Sequence, residues 1–414
     1  MKKGGLIAGL LAAYAALSCA AYAAEKPDSP EDVATRSRPE YDPKGLPLGA
    51  FRLFLRLEGG IGSDSNVFRQ ESGTSDTFYF VAPQAELRSN WSRHALTLRA
   101  YSRSTFYSKE QDENTTDWGV EGAGQIDVLR SLRMDVHTSH KSFHEQRSSP
   151  DLPGFAKKPT EIDASAVSAQ VIYQPNRLGV SFGGEFTALD YHSVPLIGGG
   201  TLNNDDRDRD ILTGNVKAFY EFSPGYALFV RGAYETRDFS QKLDRSGFDR
   251  SSHGYRIDSG LDMMVSHLVR GQVFAGYLDQ AYETPLPSVS GFDFGARLDW
   301  YATEKTTVRL DAAHTINDTT LAGASASDDR SFRAGVDHEL LYNVILHAYG
   351  GYLVSTFDGI SREDKYTSAG AGADYLISRY ASLNISYDLQ QRDSNVPGQD
   401  YDDHRFWISL LIHP

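Results

Sequence analysis

From Phe51 almost to the end of the chain, apolar and polar residues alternate in stretch after stretch. Phe51, Leu53, Leu55 and Leu57 stand against Arg52, Phe54, Arg56 and Glu58. Leu96, Leu98 and Ala100 stand against Thr97, Arg99, Tyr101 and Arg103. Tyr226, Leu228, Val230, Gly232 and Tyr234 oppose Phe229, Arg231, Ala233, Glu235 and Arg237. Phe292, Phe294, Ala296, Leu298 and Trp300 oppose Asp293, Gly295, Arg297 and Asp299. Val308, Leu310 and Ala312 alternate with Arg309 and Asp311, and Ala381 to Leu389 alternates with Ser382, Asn384, Ser386 and Asp388. A period of two predicts strands with one apolar and one polar face. No stretch in this part of the chain shows helical period.

The connectors come in two alternating sizes. Tight ones lie near Asn90–Arg93, Leu129–Leu132, Gln174–Arg177, Ser223–Tyr226, Ser266–Val269, Thr303–Thr306, Tyr342–Val344 and Ser378–Tyr380. Long polar ones lie near Ser63–Asp76, Lys109–Thr116, Gln146–Ile162, His192–Asp208, Ser240–His253, Glu283–Ser290, Thr319–Arg330, Phe357–Lys365 and Ser394–Asp402. This spacing predicts about eighteen antiparallel strands of roughly 12 to 15 residues. A propeller blade would divide the same repeat into four short strands. Strands of soluble sandwiches average about 5 or 6 residues, whereas a tilted membrane-crossing strand needs about 9 to 11. The expected fold is all-β: a transmembrane antiparallel up-and-down barrel, with short turns periplasmic and long loops outside. An even strand count returns the C-terminus to the N-terminal side. The closing strand is expected at Arg405–His413, with Phe406, Ile408, Leu410 and Ile412 toward lipid. It ends in His413-Pro414, where barrels usually carry a terminal aromatic.

Composition narrows the compartment. Lys2 and Lys3, an apolar run from Leu6 to Leu17 and Ala21-Tyr22-Ala23 read as an export signal over residues 1–23. Residues 24–48 then form a Pro-rich periplasmic leader, and residues 49–414 the barrel. Cys19 is the one cysteine. Ala16-Leu17-Ser18-Cys19 lacks the aliphatic residue that starts a lipoprotein box. Cleavage after Ala23 leaves no thiol for a disulfide or a thiolate metal site. A net charge of -14 argues against nucleic acid as a partner. The 23 tyrosines and 21 phenylalanines suit a chain whose apolar residues are dispersed by alternation.

The stretch Arg38-Pro39-Glu40-Tyr41-Asp42-Pro43-Lys44-Gly45, followed by Gly49-Ala50-Phe51 and Asn66-Val67-Phe68, resembles the start of the putative β-barrel porin 2 family of bacterial outer-membrane proteins. The likeness is sharp over these residues and architectural over the rest. It implies an outer-membrane conduit or accessory barrel, often associated with exopolysaccharide or capsule export machinery, and supplies no catalytic residues.

Charges opposite the apolar stripes are expected to line the lumen: Arg99, Arg103, Arg231, Glu235, Arg237, Arg256, Asp258, Asp262, Asp293, Arg297, Asp299, Arg309, Asp311 and Asp388. Asp127, Arg133, Asp135 and Asp374 belong to the same set. Mid-depth Arg or Lys on the lipid face costs about 2–4 kcal/mol, which turns these faces inward. Such a wall suits a hydrated pore; alternatively, the charges pair across strands and fill an occluded lumen. Tyr101, Phe229, Tyr301 and Tyr349 share the inner face, where rings pack or stack on sugars. Trp91, Trp118, Tyr173, Phe222, Tyr226, Trp300 and Tyr387 fit interfacial girdles.

Other motifs fit simpler readings. Asp206, Asp208 and Asp210 alternate as in a calcium loop, but Ile211 and Lys217 stand where that loop needs Gly and Glu. With Arg207 and Arg209 between them, they read as a solvated external loop. Gly179-Val180-Ser181-Phe182-Gly183 matches a nucleophile elbow in letters, yet lies inside a continuous strand. His137 and Ser139 share a strand face, as base and nucleophile of a lipid hydrolase would, and read more simply as lumen lining. His140 and His144 lack a helix that would make them a zinc pair. The sequence therefore points to a non-enzymatic barrel with neither cofactor nor metal. Its expected partners are membrane lipid, polysaccharide and periplasmic export machinery. An enzyme acting on lipid or glycan, and an occluded barrel with partner-binding loops, are the alternatives.

Overall fold

A computed structural model describes residues 32–263 and 268–413. The expected signal and the first part of the leader lie outside the described residues. Eighteen long strands carry the fold. The first nine are β1 Phe51–Asp64, β2 Asp76–Ser89, β3 Ala95–Tyr107, β4 Thr115–Leu129, β5 Leu132–His144, β6 Glu161–Tyr173, β7 Leu178–Tyr191, β8 Arg209–Ser223 and β9 Tyr226–Phe239. The second nine are β10 Ser252–Met263, β11 Val269–Tyr282, β12 Val289–Thr303, β13 Thr306–Asp318, β14 Ala326–Leu341, β15 Val344–Phe357, β16 Glu363–Ser378, β17 Ala381–Ser394 and β18 Tyr401–Ile412. Each pairs antiparallel with its sequence neighbours, and β1 pairs with β18, so the sheet closes. Closure is what the bilayer demands, because an unpaired N–H or C=O in hydrocarbon costs several kcal/mol.

The first and last strands differ in extent. β18 covers β1 only from Leu57↔Ile412 to Asp64↔Arg405. At the other end of β1, a three-residue strand, Leu46–Leu48, folds back on Leu53, Arg52 and Phe51 and occupies the edge that β18 leaves bare. Gly45, at φ +65°, makes this approach; a Cβ there would lie 2.8 Å from Arg52 Cγ. The loop end of the seam is clamped by the Asn66-Val67-Phe68 motif. Asn66 Nδ2 donates to the Gln70 and Asp402 carbonyls (2.7 and 3.0 Å), and Arg69 bridges Asp64 and Asp403 (3.3 and 2.9 Å).

Five short turns share one construction: two residues close the hairpin after a register shift in the incoming strand. They follow Asp127, Glu221, Tyr301, Glu339 and Leu376. A bulge increases local twist and lets a tight turn join long strands without splaying them.

Side chains alternate as the pattern requires. On β9, Leu228, Val230 and Tyr234 are exposed on the outer surface, whereas Phe229, Arg231 and Arg237 are buried on the inner one. The inner wall repeats a particular device. Phe78, Phe80, Tyr101, Phe219, Phe229, Phe274 and Tyr349 each stand directly across from a glycine: Gly62, Gly60, Gly119, Gly179, Gly260, Gly295 and Gly370. A Cβ on any of these glycines would come closer than 3.0 Å to the ring, so each ring lies flat in a seat that only glycine leaves open. This accounts for the Gly-x-Ser-x-Gly stretch: Gly179 seats Phe219, and Gly183 lies against the Asn215 side chain.

The regular barrel is broken between β12 and β13. Their pairing stops at Gly295↔Ala313, although both strands continue. Above that point the β13–β14 hairpin stays paired to its tip, Asp318↔Ala326, and folds inward over the neighbouring wall. Ile316 and Ala326 pack on Leu278 and Val289 in a small apolar core. Asp318 reaches Arg209 on β8 and Arg237 on β9 (2.7 and 2.8 Å), four to five strands away. The opened seam is marked by Phe292, Phe294 and Phe332, with adjacent ring centroids 5.9–6.1 Å apart.

The glycine seats predict a contrast on one strand. Gly119→Ala, whose Cβ would lie 2.7 Å from the Tyr101 ring, will destabilise the barrel by about 1–3 kcal/mol in urea titrations in lipid vesicles. Gly124→Ala, with open space around it, will stay within about 0.5 kcal/mol. Equal effects would refute the seating role.

Candidate functional site: a charged lumen spanned at both mouths

The alternation puts the fourteen sequence-predicted charges on the polar faces of their strands, and most meet an opposite charge one or two strands away. Arg99 binds Glu121 (2.5 Å), which also takes Lys141 (3.2 Å). Arg231 binds Asp258 (2.9 Å), Asp262 takes Lys217 (2.6 Å), and Arg256 lies 2.7 Å from Asp293. Arg297 pairs with Asp311 (3.2 Å), and Arg309 lies between Asp299 (3.7 Å) and Asp337. Arg237 joins Glu235 (2.7 Å) to Asp318, and Asp388 accepts the Tyr349 hydroxyl (2.9 Å). Ion pairs of this sort keep charge inside a low-dielectric wall without stranding it.

Arg103 follows another rule: its guanidinium lies 3.7 Å from the Phe80 ring centroid. Five more glycine-seated rings carry a cation in the same way. Arg405 covers Phe78 (4.9 Å), Arg99 Tyr101 (5.1 Å), Lys217 Phe229 (4.1 Å), Arg231 Phe274 (4.8 Å) and Arg333 Tyr349 (4.4 Å). Each arrangement is a sandwich of strand backbone, ring and cation, worth about 0.5–2 kcal/mol for the cation–ring contact. Tyr101, Phe229 and Tyr349 therefore present a cation to the lumen in front of the ring. Tyr301 is buried, with Arg270 6.0 Å from its centroid. Sequence reasoning found these charges by period; it missed the glycine partners, because cross-strand register is not written in local spacing.

At the loop end, residues 145–160 cross the mouth. They leave β5 and return at β6, yet Asp151 accepts the Thr319 hydroxyl (2.8 Å) and the Thr320 N–H (2.7 Å) beyond β13, eight strands away in a ring of eighteen. The Ser148 carbonyl takes Arg392 of β17 (3.1 Å), and Arg147 Nε reaches Glu113 in the β3–β4 loop (2.9 Å). Leu152, Ala156 and Val194 give the lid a small apolar core. Its root is fixed by Glu145, which accepts two hydrogen bonds from Arg207 (2.6 and 2.9 Å), both residues being buried.

Arg207 lies in the acidic loop, and the structure corrects the reading of that segment as solvated. Asp206 and Arg207 are buried; Asp206 binds Arg245 (2.6 Å), and Asp208 accepts the Tyr191 N–H (2.7 Å). The alternating charges join neighbouring loops, because an Arg between carboxylates can reach a different loop from each flanking position. The histidines are engaged singly: His140 with Ser165 (2.8 Å) and His144 with Asp117 (2.8 Å). His137 faces Ser168, and Ser139 faces Glu121 and Ala166 across the strands.

At the turn end the mouth is crossed by the leader. Asp32 contacts Arg309, the Val33 N–H donates to Thr307 Oγ1 (3.1 Å), and Arg38 binds Glu339 (2.8 Å) and the Tyr342 carbonyl (3.1 Å). These anchors lie on β13, β14 and the turn to β15, and the same segment then runs to β1.

The lid's root supports a pH prediction. Burial raises the Glu145 carboxyl, but Arg207 outweighs it and holds the group below the ordinary carboxylate value. A lowered folded value means that the stabilisation is complete above the unfolded value of about 4.3 and is lost as pH falls through the lower one. Hydrogen-exchange protection of residues 145–160, corrected for intrinsic rate, will therefore hold from neutrality to about pH 4 and fall only below it. Glu145→Gln will lose that protection at neutral pH. Unchanged protection in Glu145→Gln would exclude the pair as the lid's anchor.

Solved outer-membrane proteins are among the structures similar to this chain. OpdK from Pseudomonas aeruginosa is similar at 10% identity and a TM-score of 0.43, over 87% of this chain and 99% of that one. OccAB4 from Acinetobacter baumannii is similar at 9% and 0.43, over 87% and 98%. The siderophore receptor PirA from Acinetobacter baumannii is similar at 8% and 0.45, over 87% and 80%. No curated protein matches the sequence. The family model described as putative beta-barrel porin 2 matches residues 38–413, from the leader's Arg38 through the last strand, and the chain belongs to that family of outer-membrane β-barrels.

Proposed function

We propose that this barrel is a gated conduit, or an accessory barrel, for polysaccharide export. In this reading the short turns and both termini face the periplasm and the long loops face outward. The protein does no chemistry on its cargo. The observation that carries the reading is the continuous inner wall of paired charges, bounded at each end by a segment that is not part of the barrel sheet. A polymer rich in hydroxyls needs hydrogen-bonding groups along its whole path. Lumen-facing Arg99, Arg297, Asp299 and Asp311 supply both donors and acceptors, and retain the partial exposure that lets them exchange partners. The family association with polysaccharide machinery, implied by the leader motif, points the same way.

A second reading has its own support. Pairing of nearly all the inner charges, with both mouths crossed, also suits a sealed structural barrel whose loops bind a partner.

Planar-bilayer recording separates the two. A conduit will show discrete conductance steps that become more frequent when Asp151→Ala releases the lid from Thr319 and Thr320. With both signs interleaved on the wall, the reversal potential in a salt gradient will stay near zero. Inserted protein that stays silent, Asp151→Ala included, would favour the sealed barrel. For the cargo, a strain lacking the protein will retain polysaccharide in the periplasm. Undiminished surface polysaccharide in that strain would remove the export reading and leave the fold untouched.

A further inference from the structure

The leader is more than a tether between an export signal and a strand. Val33 is 1% exposed and Arg38 2%. Arg38 makes four contacts beyond its own turn or across the strap: Glu339 (2.8 Å), the Tyr342 carbonyl (3.1 Å), the Val33 carbonyl (3.0 Å) and the Arg36 carbonyl (3.2 Å). Arg36 adds a longer pair to Glu339 (3.5 Å) and a hydrogen bond to the Glu304 carbonyl. Asp42 locks the turn between these arms by accepting from the Arg38 N–H (2.6 Å) and the Ser37 hydroxyl (3.0 Å). Tyr41 rests against Tyr342, ring centroids 5.9 Å apart. Beyond Gly45 the chain rejoins the barrel edge at Leu46–Leu48.

Two features distinguish this from an ordinary docked terminus. The segment is fixed at both ends, with no strand pairing between residues 32 and 45, so it is a strap held by side chains. Its seat carries three carboxylates, Glu339 and Asp337 on β14 and Asp299 on β12; Arg309 is set between Asp299 and Asp337, His347 lies beside Asp337, and Glu339 is left to the strap's arginines. Arg36 and Arg38 balance that seat. Removing them leaves Glu339 a buried carboxylate without its two arginine partners, a costly state that keeps Arg38 in place.

We propose that residues 32–45 are a displaceable strap that shuts the turn-end mouth, with the Arg38–Glu339 pair as its catch. Opening requires that pair to separate, after which the strap swings on the Gly45–Phe51 turn while the eighteen-strand sheet stays closed. The Arg-Pro-x-Tyr-Asp-Pro-x-Gly stretch thereby gains a division of labour: Arg38 is the catch, Tyr41 the contact on the turn, Asp42 the internal brace and Gly45 the hinge. The inference rests on the barrel and its leader, and it stands whether or not the cargo is a polysaccharide.

The test uses the full chain in detergent and reads access to the lumen from the turn end. Asp311→Cys places a thiol on the inner wall at a position that is partly exposed. A maleimide carrying a bulky polyethylene-glycol chain reports whether the mouth admits it. Protein without the introduced thiol accounts for any signal from Cys19. With the strap in place, labelling will be slow. Arg38→Ala or Glu339→Ala will raise the rate at least tenfold, and the exchange Arg38→Glu with Glu339→Arg will bring it back toward the parent. Heat-modifiable migration on gels confirms that each variant is a folded barrel. Rapid labelling of the parent, or a rate unchanged by Arg38→Ala in a folded barrel, would overturn the proposal. Val33→Cys gives an independent reading: its thiol is protected in the parent and becomes reactive on loss of Glu339, whereas equal protection in both would also overturn it.

Discussion

Everything in this molecule follows from the cost of an unpaired peptide group in hydrocarbon. A strand offers a donor and an acceptor on both edges, and only a sheet without edges satisfies them all. The eighteen strands meet this condition by pairing each with the next and the last with the first. The details of closure show the same constraint. β18 leaves the first residues of β1 uncovered, and Leu46–Leu48 pairs with them. Where β12 and β13 separate above Gly295, the freed hairpin folds against the inner wall and buries Ile316 and Ala326. The opening lies where Phe292 and Phe332 stand across from Tyr277 and Tyr352, four rings exposed on the outer surface.

Once the sheet is closed, period two forces half of the side chains inward, and the second problem is how to hold charge there. The wall solves it in two ways. Some cations pair with a carboxylate one or two strands away, as Arg231 does with Asp258. Several cations, Arg231 included, lie on a ring that is itself flattened onto a glycine, as Arg103 does on Phe80 over Gly60. In five of the six cases the second arrangement draws ring, glycine and cation from three different strands, so it ties sheet geometry to lumen chemistry. It also keeps cations at the surface of the wall while the ring excludes water from the backbone beneath.

The mouths are built from different material. Neither the lid at residues 145–160 nor the leader strap contributes a strand to the barrel; both are held by hydrogen bonds and ion pairs to distant strands. Such contacts are fewer than those of a β-ladder, and removing one partner of a buried pair among them is strongly destabilising. The two motifs that carry the family resemblance sit at these places. Asn66-Val67-Phe68 clamps the seam at the loop end, and the Arg-Pro stretch holds the strap at the turn end.

Alternation and connector length were enough to determine about eighteen long strands and their two faces, because a strand's period is a local property of the backbone. The acidic loop was misjudged as solvated for a related reason: Arg207 and Glu145 are far apart in sequence, and only the tertiary arrangement brings them to 2.6 Å. The glycine seats, the inward fold of the β13–β14 hairpin and the crossing of both mouths were likewise invisible. Each depends on which residue of one strand faces which residue of another, or on how far a loop reaches across a ring. Sequence thus determined the wall, through near-neighbour sterics and the lipid's intolerance of charge. Tertiary structure alone decided what stands across the mouths, because those contacts are made between groups separated by tens to hundreds of residues.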